Sequence, residues 1–400
     1  MTSIRSKLPV IFITLTLLAR VVSPSPVTAA PTSAQIASQL EAGTKTTRIV
    51  CFGDSITGVY YHSGSARAWT DMLGIALQQA YPTAKLEMVN AGISGHTTGD
   101  ALARIEKDVL AKKPDLVVIM FGMNDVARVG IDGYEKNLRT ITQQCLDAGA
   151  AVMLCTPNSV YENPTENPTR PNVKLASYSD RVRKVARDFK IPLVDFFKDW
   201  SELHQQDPSA WMLLMSETIH PNLNGHKRFA ELITRSLSGK KVSLADVAAA
   251  PDPLQNTREL LRANQTVKLI AMSPYDKVIP AALKKGFPNA KIEVTPWPVQ
   301  DQSLAQIRKW SQKIRKLSPN LVVINVPADA LAQPNETGFI SDYGWVLNNA
   351  FHFGKRQWDV LAFLPVKSAV PAQRLYLARQ IIIGKDLAPL ARLPDELIAK

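Results

Sequence analysis

Two short stretches carry the residue types that acyl-transfer chemistry needs. "RIVCFGDSITG", Arg48 to Gly58, runs from an apolar segment into a turn with Ser55 at its centre. "SETIHPN", Ser216 to Asn222, holds His220 with a carboxylate, Glu217, three residues before it. A serine hydroxyl becomes an effective nucleophile only when a base takes its proton, and the base needs an orienting carboxylate. Glu217 and His220 can meet on one turn, and Pro221 restricts His220 to an extended backbone. Of His62, His96, His204, His220, His226 and His352, only His220 has a carboxylate at that spacing. His226 reads as a surface residue of a helix and His204 as a loop residue. His62, in the polar loop "GVYYHSGSARAW", is a candidate substrate contact. Taken alone, Gly-Asp-Ser is also ordinary turn chemistry, because Gly tolerates positive φ and Asp and Ser bond nearby backbone.

Acyl transfer also needs hydrogen-bond donors for the tetrahedral oxyanion. The turns "NAGISG" (90 to 95) and "GMND" (122 to 125) offer the backbone N–H of Gly95 and the side-chain amide of Asn124, beside the N–H of Ser55. Each has a plainer reading as a turn residue. What gathers them is the order of elements. Apolar, β-branched runs at Arg48 to Phe52, Leu86 to Asn90, Leu116 to Phe121, Ala151 to Thr156 and Pro192 to Phe196 read as strands. Helical periodicity fills Trp69 to Ala80, Thr98 to Lys112, Tyr134 to Asp147, Ala176 to Phe189 and Leu223 to Leu237. Strand alternating with helix predicts a doubly wound parallel α/β sheet with helices on both faces, a three-layer α/β/α fold. In the common flavodoxin-like order 2-1-3-4-5, the carboxyl ends of the first and third strands flank the ligand crevice. All three polar turns then lie on one rim.

With those blocks in hand, "GDSIT", "NAGISG", "GMND" and "ETIHPN" resemble the four blocks of the SGNH, or GDSL-type, hydrolase family of esterases and lipases, over residues 45 to 240. The resemblance implies Ser55 as nucleophile and oxyanion donor, Gly95 and Asn124 as further donors, and His220 as general base. An aspartate stands in most members where Glu217 stands here, one methylene longer. Asp54 belongs to the nucleophile's turn. Thr57 two residues after Ser55 breaks the Gly-x-Ser-x-Gly elbow of the larger α/β-hydrolase group. A serine esterase working through an acyl-enzyme is the expected activity, on short acyl, acetyl above all, esters of carbohydrate. Lysophospholipase, lipase and arylesterase activities are the alternatives. Tyr60, His62, Arg67 and Trp69 are the candidate substrate contacts.

Four hundred residues suggest about two domains, and the text after the fifth strand resembles the text before it. "YPTAKLEMV" (81 to 89) returns as "FPNAKIEVT" (287 to 295), and "KKPDLVVIMFG" (112 to 122) as "KLSPNLVVINVP" (316 to 327). "RIVCFGDSIT" sets against "VKLIAMSPYD" (267 to 276), and "AVMLCTP" (151 to 157) against "VLAFLPV" (360 to 366). This predicts a second, diverged α/β repeat lacking the Gly-Asp-Ser, the asparagine and the acid-x-x-His. The expected layout is a signal peptide at 1–29, a linker at 30–45, the hydrolase domain at 46–240, a linker at 241–258, and a noncatalytic domain at 259–400.

At the N-terminus, Arg5 and Lys7 precede an apolar run from Leu8 to Leu18 and then small residues up to Ala29, the pattern of a cleaved secretory signal. Export, to the periplasm or beyond, is the expectation, with no transmembrane segment in the mature chain. Cys51, Cys145 and Cys155 cannot all pair and read as buried thiols. No metal-ligand spacing occurs, and no cofactor is expected. The net charge of +12 is uneven, with 20 basic against 12 acidic residues in 251–400 and 27 against 23 in 1–250. A basic C-terminal half suits an anionic polysaccharide, the basis of a rival reading as a polymer-binding protein, with no nucleic-acid partner expected. "RKWSQKIRK" (308 to 316) reads as a solvated helix face.

Overall fold

Among the described residues, ten strands form two all-parallel sheets. The computed structural model describes residues 30–162, 168–250, 252–332, 335–365 and 370–393. The first sheet contains β1 (Thr46–Gly53), β2 (Lys85–Gly92), β3 (Leu116–Met120), β4 (Ala151–Cys155) and β5 (Leu193–Val194), in the order β2-β1-β3-β4-β5. The second contains β6 (Val267–Met272), β7 (Ile292–Trp297), β8 (Leu321–Ile324), β9 (Asp359–Phe363) and β10 (Pro389–Leu390), in the order β7-β6-β8-β9-β10. The two orders are the same when each sheet is numbered from its own first strand. Every residue of β3 and β4 is buried, as a parallel strand covered by helices on both faces requires. Both sheets are therefore of the expected doubly wound class.

Pairing register corrects the sequence alignment of the two halves. Met88 and Leu116 both sit opposite Ile49 of β1. Their counterparts, Val294 and Leu321, both sit opposite Leu269 of β6. Leu269 thus takes the place of Ile49, one residue beyond the position that matching the two strings assigns. Carried forward, this register puts Ser273 where Gly53 stands and Tyr275 where Ser55 stands. Tyr275 opens the helix Tyr275–Gly286 and stacks on Phe363 at 3.7 Å.

Other boundaries also differ. Residues 33–42 of the first expected linker form a helix, capped by Thr32, whose Ile36 and Leu40 are buried in the first core. The second expected linker buries Leu244 in that core and ends inside the helix Gln255–Arg262. Thr98–Asp108 is a helix, but Val109 leaves helical geometry and a 3-10 turn, Leu110–Lys112, follows. The expected signal peptide lies outside the described residues. Among the described residues, no helix is long and apolar enough to cross a membrane. All three cysteines are buried and unpaired.

The two units pack closely. Arg67 donates to Asp386 at 2.8 and 2.5 Å, Ser65 Oγ donates to the His352 carbonyl at 2.7 Å, and Leu223 N donates to the Gly384 carbonyl at 2.8 Å. At Gly64 a Cβ would stand 2.0 Å from the Lys385 carbonyl oxygen, so only glycine allows that approach. The stretch read as a solvated basic face is partly turned into this contact. Ser311 and Ile314 are buried, and the Arg315 guanidinium lies 4.5 Å over the Tyr61 ring.

Close backbone packing also fixes the rim of the first sheet. A Cβ on Gly92 would stand 2.2 Å from Gly58 N and 2.6 Å from the Thr57 carbonyl carbon, neither of which can swing aside. Gly92→Ala is expected to cost about 1–3 kcal/mol in urea denaturation, because the turn bearing Ser55 has to shift. Unchanged stability would show that the two turns are not so tightly apposed.

Candidate active site

At the carboxyl ends of β1, β2 and β3, hydrogen bonds tie the three polar turns together. Asn90 Nδ2 donates to the Thr57 carbonyl at 2.7 Å, and its Oδ1 accepts from Gly92 N at 2.9 Å. Arg104, reaching up from the helix Thr98–Asp108, donates to the carbonyls of Gly53 and Ala91 at 2.8 Å each. Asp125 is fully buried and accepts from the N–H and hydroxyl of Thr98 at 2.9 and 2.5 Å. Asp54 closes the turn around Ser55, its Oδ1 accepting from Ile56 N at 2.9 Å. The serine's place is fixed by its neighbours on every side.

The segment Ser216–Asn222 lies across this rim. Ser216 N donates to the His220 carbonyl at 2.8 Å, folding the segment into a tight loop. Asn222 holds both ends of the loop, donating to the Leu213 and Met215 carbonyls while capping the helix Leu223–Ser238. The loop presents His220 so that Ser55 Oγ and His220 Nε2 are 2.8 Å apart. On the other side of the ring, His220 Nδ1 bonds Glu217 Oε1. The longer glutamate reaches back into its own turn, accepting from His220 N at 2.7 Å and Ile219 N at 3.2 Å. Burial would raise the Glu217 carboxyl, but the His220 ring and these N–H donors outweigh it and hold the group below the usual carboxylate range.

Donors for an oxyanion are present on the same rim. Among the described residues, neither Ser55 N–H nor Gly95 N–H is bonded to an acceptor, and Gly95 adopts a φ of +79°. Asn124 Nδ2 donates to the His96 carbonyl at 3.1 Å and more weakly to Asp54 Oδ2 at 3.4 Å. That second hydrogen is loosely held and can turn to a developing charge.

The expected substrate contacts divide. Tyr60 lies at the rim, its hydroxyl accepting from Ser94 N at 2.8 Å. Arg67 does not reach the site, because Asp386 and the Ala248 carbonyl hold its guanidinium. Trp69 is fully buried at a helix start, and its backbone N–H donates to His226 Nδ1 at 2.8 Å. His226 is therefore a core residue rather than a surface one, and burial lowers its pKa to about 3. His204 ends the helix Phe196–Gln206 and packs on Trp211. His62 faces His220 instead of the solvent, its ring stacked on His220 at 3.7 Å with an 8° interplanar angle. Burial and neighbouring positive charges push the His62 pKa well down, so it is a neutral flat wall behind the His220 ring. Arg170, whose Nε donates to the Met123 carbonyl at 2.9 Å, stands beside Asn124; nothing in its sequence setting marked it.

His62, Glu217 and His220 carry potential ligand atoms within 4.8 Å of one another. They suit a metal poorly. Parallel stacked rings do not aim their in-plane lone pairs at one point, and Glu217 Oε1 is already bonded to His220.

This arrangement sits within a recognisable relationship. The profile of the GDSL-like lipase/acylhydrolase family matches residues 51–228. An acetylxylan esterase from Geobacillus stearothermophilus is 33% identical over 173 residues, spanning 40% of this chain and 76% of that protein. The chain belongs to the GDSL-like lipase/acylhydrolase family. It is a carboxylic ester hydrolase. This hydrolase is also 30% identical over 194 residues to thioesterase 1/protease 1/lysophospholipase L1 of Escherichia coli, which spans 47% of this chain and 82% of that one. An arylesterase from Vibrio mimicus is 26% identical over 195 residues, across 48% of this chain and 88% of that one.

Asp54 gives the hydrolase a pH signature. Burial pushes its carboxyl from 3.8 up to about 6, against the pull of the Ile56 N–H. Its folded-state pKa exceeds the unfolded value, so the folded state holds the proton more tightly. The resulting stabilisation is complete at low pH and is lost as pH rises from about 4 to about 6. Relative to Asp54→Asn, the wild type is expected to lose roughly 2–3 kcal/mol over that window. Parallel stability curves in urea melts from pH 4 to 7 would contradict it.

Proposed function

We propose that the hydrolase removes short acyl groups, acetyl first, from carbohydrate, with Ser55 as nucleophile, His220 as general base and Glu217 as the carboxylate that orients it. The observation that carries this reading is the 2.8 Å approach of Ser55 Oγ to His220 Nε2 while Nδ1 is bonded to Glu217. His220 takes the Ser55 proton as Oγ bonds to the ester carbonyl carbon, and the carbonyl oxygen gains the electron pair. The N–H groups of Ser55 and Gly95 and the Asn124 amide receive that oxyanion. His220 then gives its proton to the departing sugar oxygen, leaving an acyl-serine. Water, deprotonated by His220, attacks the acyl carbon and releases the acid, and Ser55 regains its proton.

Acetylated carbohydrate is favoured because the relative named an acetylxylan esterase is among the more similar ones, at 33% identity. The rim also presents polar turns and Tyr60. An exported chain would meet such polymers outside the cell, and the sequence pattern of residues 1–29 supports export. The second unit is read as a diverged, noncatalytic copy of the first. Its strand order matches, and Tyr275 and Ser273 stand where a nucleophile and its glycine would be needed.

Ser55→Ala is expected to lower kcat by at least about 10⁴-fold, and Asn124→Ala by on the order of 10²- to 10³-fold, on a nitrophenyl acetate. In a substrate screen, acetylated xylo-oligosaccharides are expected to give higher kcat/KM than lysophospholipids or long-chain aryl esters. Preference for lysophospholipid would replace the carbohydrate assignment, and an active Ser55→Ala would end the nucleophile assignment.

A further inference from the structure

The acid side of the triad is held by residues that lie beyond the family match. Ser216, next to Glu217, is pinned from two directions by the second unit. Lys385 Nζ donates to Ser216 Oγ at 2.6 Å. Ser216 Oγ donates in turn to Asn348 Oδ1 at 3.0 Å, and Asn348 Nδ2 donates to the Ser216 carbonyl at 2.9 Å. Every polar atom of Ser216 is thus engaged, since its N–H already bonds the His220 carbonyl. Lys385 and Asn348 are buried, at 1% and 0% exposure, so these bonds are not diluted by water.

The same two residues also reach the far side of His220. Lys385 Nζ donates a second bond to the His62 carbonyl at 2.7 Å, and the His62 ring is the one stacked on His220. Tyr61 packs on His62 with centroids 3.9 Å apart, and Arg315 of the second unit lies over Tyr61. Arg315 is held by the Asn348 carbonyl at 2.6 Å and the Phe351 carbonyl at 2.9 Å. Asn348 therefore ties Ser216 through its side chain and the ring column through its backbone. The first unit alone offers Ser216 Oγ, the His62 carbonyl and the Tyr61 face no such partners among the described residues.

We propose that Lys385 and Asn348 are positioning residues for the Ser55–His220–Glu217 triad, so that the centre is complete only with the second unit docked. This rests on the triad as read above. A buried side chain that makes two hydrogen bonds to the two segments flanking the base fixes the base's orientation. Misplacement of a catalytic group by about 1 Å costs on the order of 10²-fold in rate. Lys385 faces Glu217, His62 and His226 across the interface and Arg315 within its own unit. Asp386 beside it is engaged by Arg67 and also faces Lys227.

The test uses the full-length chain with Lys385→Met and Asn348→Leu, which keep volume and remove the bonds. Both are expected to lower kcat on an aryl acetate by on the order of 10- to 100-fold, with KM little changed. Burial holds the Lys385 pKa well below its usual value, so Lys385→Met reads the loss of its two hydrogen bonds, and Asn348→Leu, which removes the other bonds to Ser216, is expected to show the same fall in kcat at constant KM. A loss confined to kcat in a protein that melts cooperatively does not follow from loosened packing alone. Either variant melting cooperatively with unchanged kcat overturns the inference, as does a loss of activity that appears in KM alone. Should Lys385→Met fail to fold, kcat of Asn348→Leu decides. Ser55→Ala run alongside separates the outcomes: its inactivity upholds the triad even where the positioning role fails.

Discussion

One imidazole has to serve two partners at once. His220 must point Nε2 at a hydroxyl 165 positions away in the chain while Nδ1 stays bonded to a carboxylate on its own turn. Neither bond can be adjusted without disturbing the other, because the ring is rigid. The fold meets this constraint by fixing each partner separately. Ser55 is set by the end of β1, by the Asp54 turn and by the close pass of Gly92. Glu217 is set by the backbone donors of its own loop, and the loop by Asn222. Where the usual aspartate would span the gap directly, the extra methylene of Glu217 is absorbed by folding the carboxylate back onto His220 N and Ile219 N.

Fixing the base also has an electrostatic side. His62 and His226 flank His220 and are both driven towards neutrality by burial and by nearby positive charge. Neutral neighbours do not compete with His220 for the Glu217 carboxylate, and they pack against it as apolar surface. Among the described residues His62 Nδ1 has no hydrogen-bond partner; it is buried 4.0 Å from Glu217 Oε1, a local cost that the fold sustains elsewhere. The stacked rings and the Lys385 bridge turn the second unit from an appendage into part of the frame around the base.

Much of the architecture was legible because its signals are local. Each central strand is a short β-branched run, each helix a run of period-3.6 residues, and their alternation leaves few topologies. The rim residues were legible too, because Ser55, Gly95 and Asn124 lie in short blocks after strand ends and His220 in one just before a helix. What the sequence concealed depends on contacts between distant segments. Arg67 and Trp69 close the polar stretch that follows Ser55 and leads into a helix, yet Asp386 and His226 claim them. His226 lies among helical polar residues, and only the docking of Trp69 shows it to be core. The register of the second unit needed the sheet itself, since a one-residue slip in matching β1 to β6 changes which residue faces Ser55's place from Pro274 to Tyr275. Lys385 and Asn348 carried no motif at all.

The central claim is that the chemistry belongs to Ser55, in the first unit alone. Labelling the intact protein with a fluorophosphonate at neutral pH, followed by peptide mass spectrometry, reads this directly. The account predicts a single phosphonylated residue, Ser55, and none on Ser273, with labelling and ester hydrolysis lost in parallel. A protein that stays unlabelled while hydrolysing ester, or one labelled at another serine, would contradict it.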